Sequence, residues 1–513
     1  MKRLTGLDAS FLYLESPQAH MHVGSVIVLD PSTAPGGWDF GRIQAMVENR
    51  LQLMPPFRRR LVEVPFGLHR PLWIEDPDFD LDYHLRRAGL PSPGGQEQLL
   101  QFAAEFMGRP LDRSRPLWEM YVVDGLEDGL VAVVSKVHHA AIDGVSGAEL
   151  TVNLLDLSPE TRVLPPEDPP WQPDRRPSDM EMVAYSVNSL ARQPLDAARA
   201  VQRTTAMALN LRARNRQPHV TAPPGPFAAP RTSLNGAITP HRRFAVAHVE
   251  LDEVKRIKNT LGGTVNDVVM ALCAGALRRH FTARGELVDQ DLVAMVPISV
   301  RTDDEAGAMG NRVSAMLVSL ATTVDDPVER LRRIQDGTSR AKDQEHAVSA
   351  STLTNWTEFA APAVAALAAR MLSSTRTIDR LRPIFNVVIS NVPGPNIPLY
   401  SAGCQVRAIY PMGPINLGLG LNMTVMSYMG GIHFGLVACR ETVPEVDAMA
   451  GFILDSLTEL TKAADKAHGN ATVPGAAEVT AADGEAGASP SGPRRRPKRA
   501  APHRRPTTPV DPA

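Results

Sequence analysis

Two adjacent histidines, His138 and His139, stand just ahead of an Asp-Gly step in the run His138-His139-Ala140-Ala141-Ile142-Asp143-Gly144. With 14 histidines and 37 glycines in 513 residues, chance would give the spacing HHxxxDG only about once in several hundred such chains. A free imidazole titrates near pH ~6.5, so at neutral pH it can take a proton from an alcohol and return it to a leaving group. Gly144 after Asp143 permits a tight turn at the strand end that holds the imidazole still. Two other readings compete. The pair could be structural, buried beside an ordinary Asp-Gly turn, or two histidines and a carboxylate could bind zinc or iron. Against the metal, neighbours on extended backbone point to opposite faces, and no HExxH follows. The three cysteines, Cys273, Cys404 and Cys439, are far apart, with no CxxC spacing, which disfavours a disulfide scaffold, a thiolate metal site and an activated nucleophile.

The elements that carry these residues read as a mixed α/β chain. Leu130 to Val137, rich in valine, predicts a strand that runs straight into the histidines, and Trp118 to Asp124 predicts its hairpin partner across Gly125 to Gly129. His22 to Asp30 predicts another strand in the same half. In the second half, strands are expected at Phe244 to Leu251, Leu292 to Val300, Arg312 to Ala321 and Phe385 to Ile389. A hairpin is expected over Asn422 to Cys439, turning at Gly430-Gly431, and a helix over Val265 to Phe281. Thr264 followed by Asp267 has capping-box spacing for that helix, so Asp267 is explained equally by structure or by function. Asn266 then falls in the first turn, where backbone N–H groups and the positive helix end favour an oxyanion. Mixed sheets covered by helices fit this order.

Composition bounds the rest. Net charge is −2 from 54 basic and 56 acidic residues, which argues against a nucleic-acid binder. Ser158 to Ser178 holds seven prolines, and a second Pro/Gly cluster runs from Pro218 to Pro240. Between them Asp179 to Arg216 reads as a basic amphipathic helix broken at Pro194, suited to packing on its own protein or to lying on lipid. From Gly469 onward there are eight prolines and no aromatic residue, with seven Lys/Arg between Pro493 and Arg505, so no core is expected there. The expected organisation is therefore 1–157, a linker with the basic helix over 158–240, a second domain over 241–468, and a disordered basic tail over 469–513. The N-terminus carries charge and proline too early for a secretory segment. Pro383 to Val406 and Ala408 to Cys439 contain no Asp, Glu, Lys or Arg but are broken by Pro, Gly and Asn, and they predict buried strands, not membrane spans.

The run His138 to Gly144 resembles the signature of the bacterial wax ester synthase/diacylglycerol acyltransferases, of the actinobacterial triacylglycerol synthase type. Other stretches carry the same resemblance in the family's order: Leu7-Asp8-Ala9-Ser10-Phe11, Arg115-Pro116-Leu117-Trp118, Leu234-Asn235-Gly236, Pro240-His241-Arg242-Arg243 and Thr264-Val265-Asn266-Asp267. They continue with Val296 to Arg301, Gly310-Asn311 and Ser390 to Pro395, and together cover about residues 1 to 465.

The resemblance implies two chloramphenicol-acetyltransferase-like domains meeting at an active-site channel. It implies direct transfer of a fatty acyl group from acyl-CoA to diacylglycerol, and to long-chain alcohols, with no metal and no cofactor beyond that substrate. His139 is then the general base, His138 a supporting and packed neighbour, and Asp143 with Gly144 a loop-fixing pair with an arginine counter-ion. Asn266 and Asp267 are placed at the active site. Trp118 reads as a core anchor. The implied location is cytoplasmic, at the inner membrane face or a lipid droplet. The alternatives are an acyltransferase fed by a carrier-protein thioester and acting on another alcohol or amine, and a non-catalytic lipid-surface protein.

Overall fold

Valine-rich, largely buried segments build the sheet that holds the histidines. In the computed structural model, which describes residues 2–65, 68–142, 153–190, 228–299, 313–345 and 382–471, the segments His22–Asp30 (β2) and Trp118–Asp124 (β6) have the predicted ends, and Val131–His138 (β7) runs one residue further than expected. The short strands Lys2–Arg3 (β1), Arg59–Val62 (β3) and Leu72–Glu75 (β4) make a separate three-stranded sheet. Leu85–Gly89 (β5) joins β6 in parallel, while β6, β7 and β2 pair antiparallel. Helices Gly6–Leu14 (α1), Phe40–Arg50 (α2), Leu81–His84 (α3) and Gln96–Met107 (α4) complete this half, and Asp179–Leu190 (α5) follows it. Beyond α5 the rest of the basic helix, and the basic tail, lie outside the described residues, as do Asp143, Gly144, Val300, Arg301, Gly310 and Asn311.

The second half repeats the grammar around a helix with no polar face. Arg242–Glu250 (β8), Val293–Ser299 (β9), Val313–Ser319 (β10) and Val387–Val392 (β11) take the places expected from sequence. Tyr400–Ser401 (β12) and Cys404–Met412 (β13) precede the Leu421–Tyr428 (β14) and Gly431–Cys439 (β15) hairpin, which turns at Gly430 with positive φ. Helices Leu251–Leu261 (α6), Val265–Ala283 (α7), Pro327–Glu345 (α8) and Val446–Ala471 (α9) cover the sheet, whose order is β10-β9-β11-β14-β15-β8. Every residue of α7 from Asp267 to Leu277 is buried, as an all-round apolar helix must be. Among the described residues no single helix is long and apolar enough to cross a membrane; only the bent pair α6–α7 has the composition, and α7 is the core of this half.

The predicted class, mixed α/β with mixed sheets, is what forms. One pairing crosses the chain's halves: β12 and β13 leave the second half and add to the first sheet, giving the order β12-β13-β2-β7-β6-β5. Where β13 meets β15 the backbones nearly touch, and a Cβ on Gly435 would lie 1.8 Å from the Pro411 carbonyl oxygen, so only glycine fits. A shared apolar cluster joins Val26, Ala103 and Met107 to Phe244, Met412 and Val437. Arg242 reaches across the same seam and donates from Nη2 to the Gln18 carbonyl.

Candidate active site

The backbone of both histidines is pinned from two sides. His138 N–H donates to the Leu117 carbonyl at 2.9 Å, and His139 N–H to the Met21 carbonyl at 3.0 Å. Their side chains separate as extended backbone requires: His138 is 1% exposed, while His139 is half-buried at the start of a 3-10 turn, His139–Ile142.

His138 is held by what it touches. Its Nδ1 accepts the Ala140 N–H at 3.0 Å, so the proton of the neutral ring sits on Nε2, 3.6 Å from Glu15 Oε2. Glu15 also accepts from Arg113 Nε at 3.0 Å. Burial alone would raise the Glu15 carboxyl, but its contacts with His138 and Arg113 outweigh it and leave the group below its ordinary value. Burial keeps His138 below the usual imidazole range despite Glu15. His138 is thus packed in the interior, as expected of it.

His139 differs. Its Nδ1 is buried without a hydrogen-bond partner, although the residue as a whole is only half-buried. Phe11 stacks on one face, with ring centroids 4.0 Å apart and planes 26° apart. Burial, then the neighbouring His138, lowers its pKa from 6.5 to about 4. The ring is therefore neutral at physiological pH. No group of three or more His, Cys, Asp or Glu side chains is placed to hold a metal ion among the described residues. Cys273 and Cys404 are buried, with thiols pushed up to about 12 and about 11, the opposite of an activated nucleophile.

On the other half, Thr264 caps α7 as predicted, and the two acceptor oxygens of Asp267 are both consumed structurally. Oδ2 takes Thr264 N–H and its hydroxyl, each at 2.8 Å, and Oδ1 takes the Thr338 hydroxyl at 2.7 Å. Asn266, in the first turn, is half-buried, and its Oδ1 accepts from Asn391 Nδ2 at 3.3 Å. That contact leaves the Asn266 Nδ2 donor unclaimed among the described residues. No hydrogen bond joins Asn266 to His139 among the described residues.

Sequence reasoning named the motifs but did not single out four residues that the structure places in contact with or beside them. Phe11 and Asn391 stood inside quoted stretches without a role. Glu15 and Lys136 carried no motif signal at all. Lys136, on β7, is 1% exposed, donates to the Arg109 and Phe106 carbonyls at 3.0 and 3.2 Å, and faces Glu119 at 3.6 Å; burial lowers it to about 8. Trp118 is the core anchor expected, its Nε1 bonded to the Phe57 carbonyl at 2.8 Å and its ring stacked on Phe57 and His84. Asn235, of the Leu-Asn-Gly stretch, bonds Gly418 O at 3.1 Å and Asn386 at 2.8 Å, a purely structural post.

Comparison with known proteins gives a consistent set. The family model described as the wax ester synthase/diacylglycerol acyltransferase catalytic domain matches residues 4–269, and the corresponding C-terminal domain matches 309–461. A putative diacylglycerol O-acyltransferase of Mycobacterium tuberculosis is 37% identical over 467 residues, 91% of each chain. The solved wax ester synthase/diacylglycerol acyltransferase from Marinobacter aquaeolei VT8 aligns with a TM-score of 0.64 at 31% identity, covering 90% of this chain and 100% of its own. The trichothecene 15-O-acetyltransferase of Fusarium sporotrichioides shares the fold, with a TM-score of 0.53 at 14% identity over 89% of this chain and 95% of its own.

Proposed function

The chain belongs to the wax ester synthase/diacylglycerol acyltransferase family, and on that premise we propose that it transfers a fatty acyl group from acyl-CoA to diacylglycerol, and also to long-chain alcohols. The observation that carries the mechanism is His139, neutral and braced by Phe11 at the end of β7. Nε2 takes the proton of the acceptor hydroxyl as its oxygen attacks the thioester carbonyl. The carbon–oxygen bond forms, and the carbonyl electrons move onto an oxyanion. Asn266 Nδ2 and the first turn of α7 supply donors for that charge. Collapse breaks the carbon–sulfur bond, and the CoA thiolate recovers the proton from the His139 imidazolium. The products are triacylglycerol or wax ester and free CoA, with no acyl-enzyme and no metal in the cycle.

Diacylglycerol lives in a bilayer and the product is an oil. The enzyme therefore works on the cytoplasmic surface of the membrane or of a lipid droplet, held by the basic stretches 179–216 and 494–505. The test is transfer from labelled palmitoyl-CoA, with diacylglycerol and hexadecanol offered separately to the wild type and to His139→Ala. Both esters are expected from the wild type. A His139→Ala protein retaining more than a tenth of the rate would overturn the assignment, and ester formation from hexadecanol alone would remove diacylglycerol as acceptor.

A further inference from the structure

Helix α1 lies against the turn that carries His139. Its start is fixed by Thr5, whose hydroxyl accepts the Asp8 N–H at 3.2 Å. Its end is tied by Arg113, which donates to the Leu12 carbonyl at 3.0 Å and to Glu15. Between those anchors Phe11 stands stacked on the His139 imidazole, both rings half-buried. The plane of a stacked imidazole cannot swing, so the arrangement decides where Nε2 points.

We propose that Phe11 is a positioning residue for the transfer reaction, bracing His139 so that Nε2 faces the acceptor hydroxyl and presenting its ring face to the imidazolium that forms when the proton arrives. The proposal rests on His139 being the base. Two consequences follow from the geometry. The Phe11 face shields one side of a neutral imidazole from water, so the burial that depresses His139 depends in part on it. The same face attracts the ring once it is positively charged, an interaction absent in the resting enzyme and present in the transition state. Removing the ring should therefore slow turnover without weakening acyl-CoA binding.

The experiment compares Phe11→Leu, which keeps an apolar side chain without a ring, with Phe11→Tyr, which keeps the ring. Expected for Phe11→Leu is a loss of kcat of at least tenfold, KM for palmitoyl-CoA within twofold, and an acid limb of the pH profile moved up toward about 6.5. Expected for Phe11→Tyr is kcat within threefold of wild type. Wild-type kcat in Phe11→Leu, or equal loss in both variants, would overturn the proposal. Nuclear magnetic resonance on the wild-type protein with labelled histidine supplies a readout independent of turnover and of variant folding. The His139 Cε1–H signal, assigned by its loss in His139→Ala, should be shifted upfield and show a cross-relaxation contact to the Phe11 ring. Absence of that contact overturns the brace, whereas full activity of His139→Ala overturns the base and leaves the stacking standing.

Discussion

The burial of His139 makes a numerical claim about acid. A histidine at its ordinary value of 6.5 would be about 9% neutral at pH 5.5, whereas one lowered to about 4 stays about 97% neutral. If His139 in its free, neutral form is the proton acceptor, kcat/KM should hold at more than nine-tenths of its plateau at pH 5.5, where an unperturbed base would leave less than a tenth. The assay is the initial rate of ester formation from labelled palmitoyl-CoA and diacylglycerol between pH 5 and 7.5. At the upper bound buried Lys136, lowered to about 8, is still about three-quarters protonated. Stability must be followed alongside, because the sign of its pH dependence is adverse. Buried His84 and His433, also lowered to about 4, bind protons more readily in the unfolded chain. Their contribution is whole above about pH 6.5 and is lost as pH falls toward 4, at about 1.4 kcal/mol each by pH 5.5. Each sample is therefore returned to pH 7.5 and reassayed. A half-loss of kcat/KM near pH 6.5 in enzyme that recovers fully on return would refute the reasoning, for it would place an ordinary, hydrated imidazole at the reacting position.

Three further outcomes are expected. His139→Ala should lower kcat about 100- to 10,000-fold with an unchanged melting temperature, whereas His138→Ala, which vacates a buried contact with Glu15, should cost more stability and less rate; the reverse order in paired rate and melting measurements would mean the two roles are exchanged. Asn266→Ala should lower kcat by about 100-fold or more with the fold intact, while Asp267→Ala, by removing both cap bonds and the acceptor of Thr338, should lower stability by roughly 1–3 kcal/mol in denaturant titration and spare kcat. Truncation after residue 468 should keep catalytic activity and weaken binding to anionic vesicles, most strongly at low salt; identical co-sedimentation of both forms across a salt series would make the tail inert.

Strands and the central helix were legible because their side chains face apolar surroundings that periodicity reports. Residues 22–30 and 118–124 are rich in β-branched and apolar residues that pack into apolar clusters on either side of their sheet, and α7 is buried from Asp267 to Leu277. The motif that carries His139 was legible because it is local. Phe11, Glu15 and Asn391 were not, because each acts through a partner more than 100 residues away in sequence, and nothing in the spacing of one segment encodes a contact with another. Asp267 shows the converse. Its cap spacing was legible locally, but Thr338, on a different helix, which occupies its second oxygen, was not.

The placement of β13 has a consequence for synthesis. Asp30 and Gln405 pair in register across the first sheet, 405 − 30 = 375 positions apart. At ribosomal rates of ~5–20 residues per second, β2 waits about 20 to 75 seconds for its outer neighbour. Through that interval one side of β2 offers unpaired N–H and C=O groups to any passing strand. The nascent first half is thus born with an open edge beside β7, the strand that will end in His138, and is closed only when nearly the whole enzyme has left the ribosome. Chaperone demand for this protein should fall on the middle of its synthesis, well after the histidines have emerged and before they can be put to use.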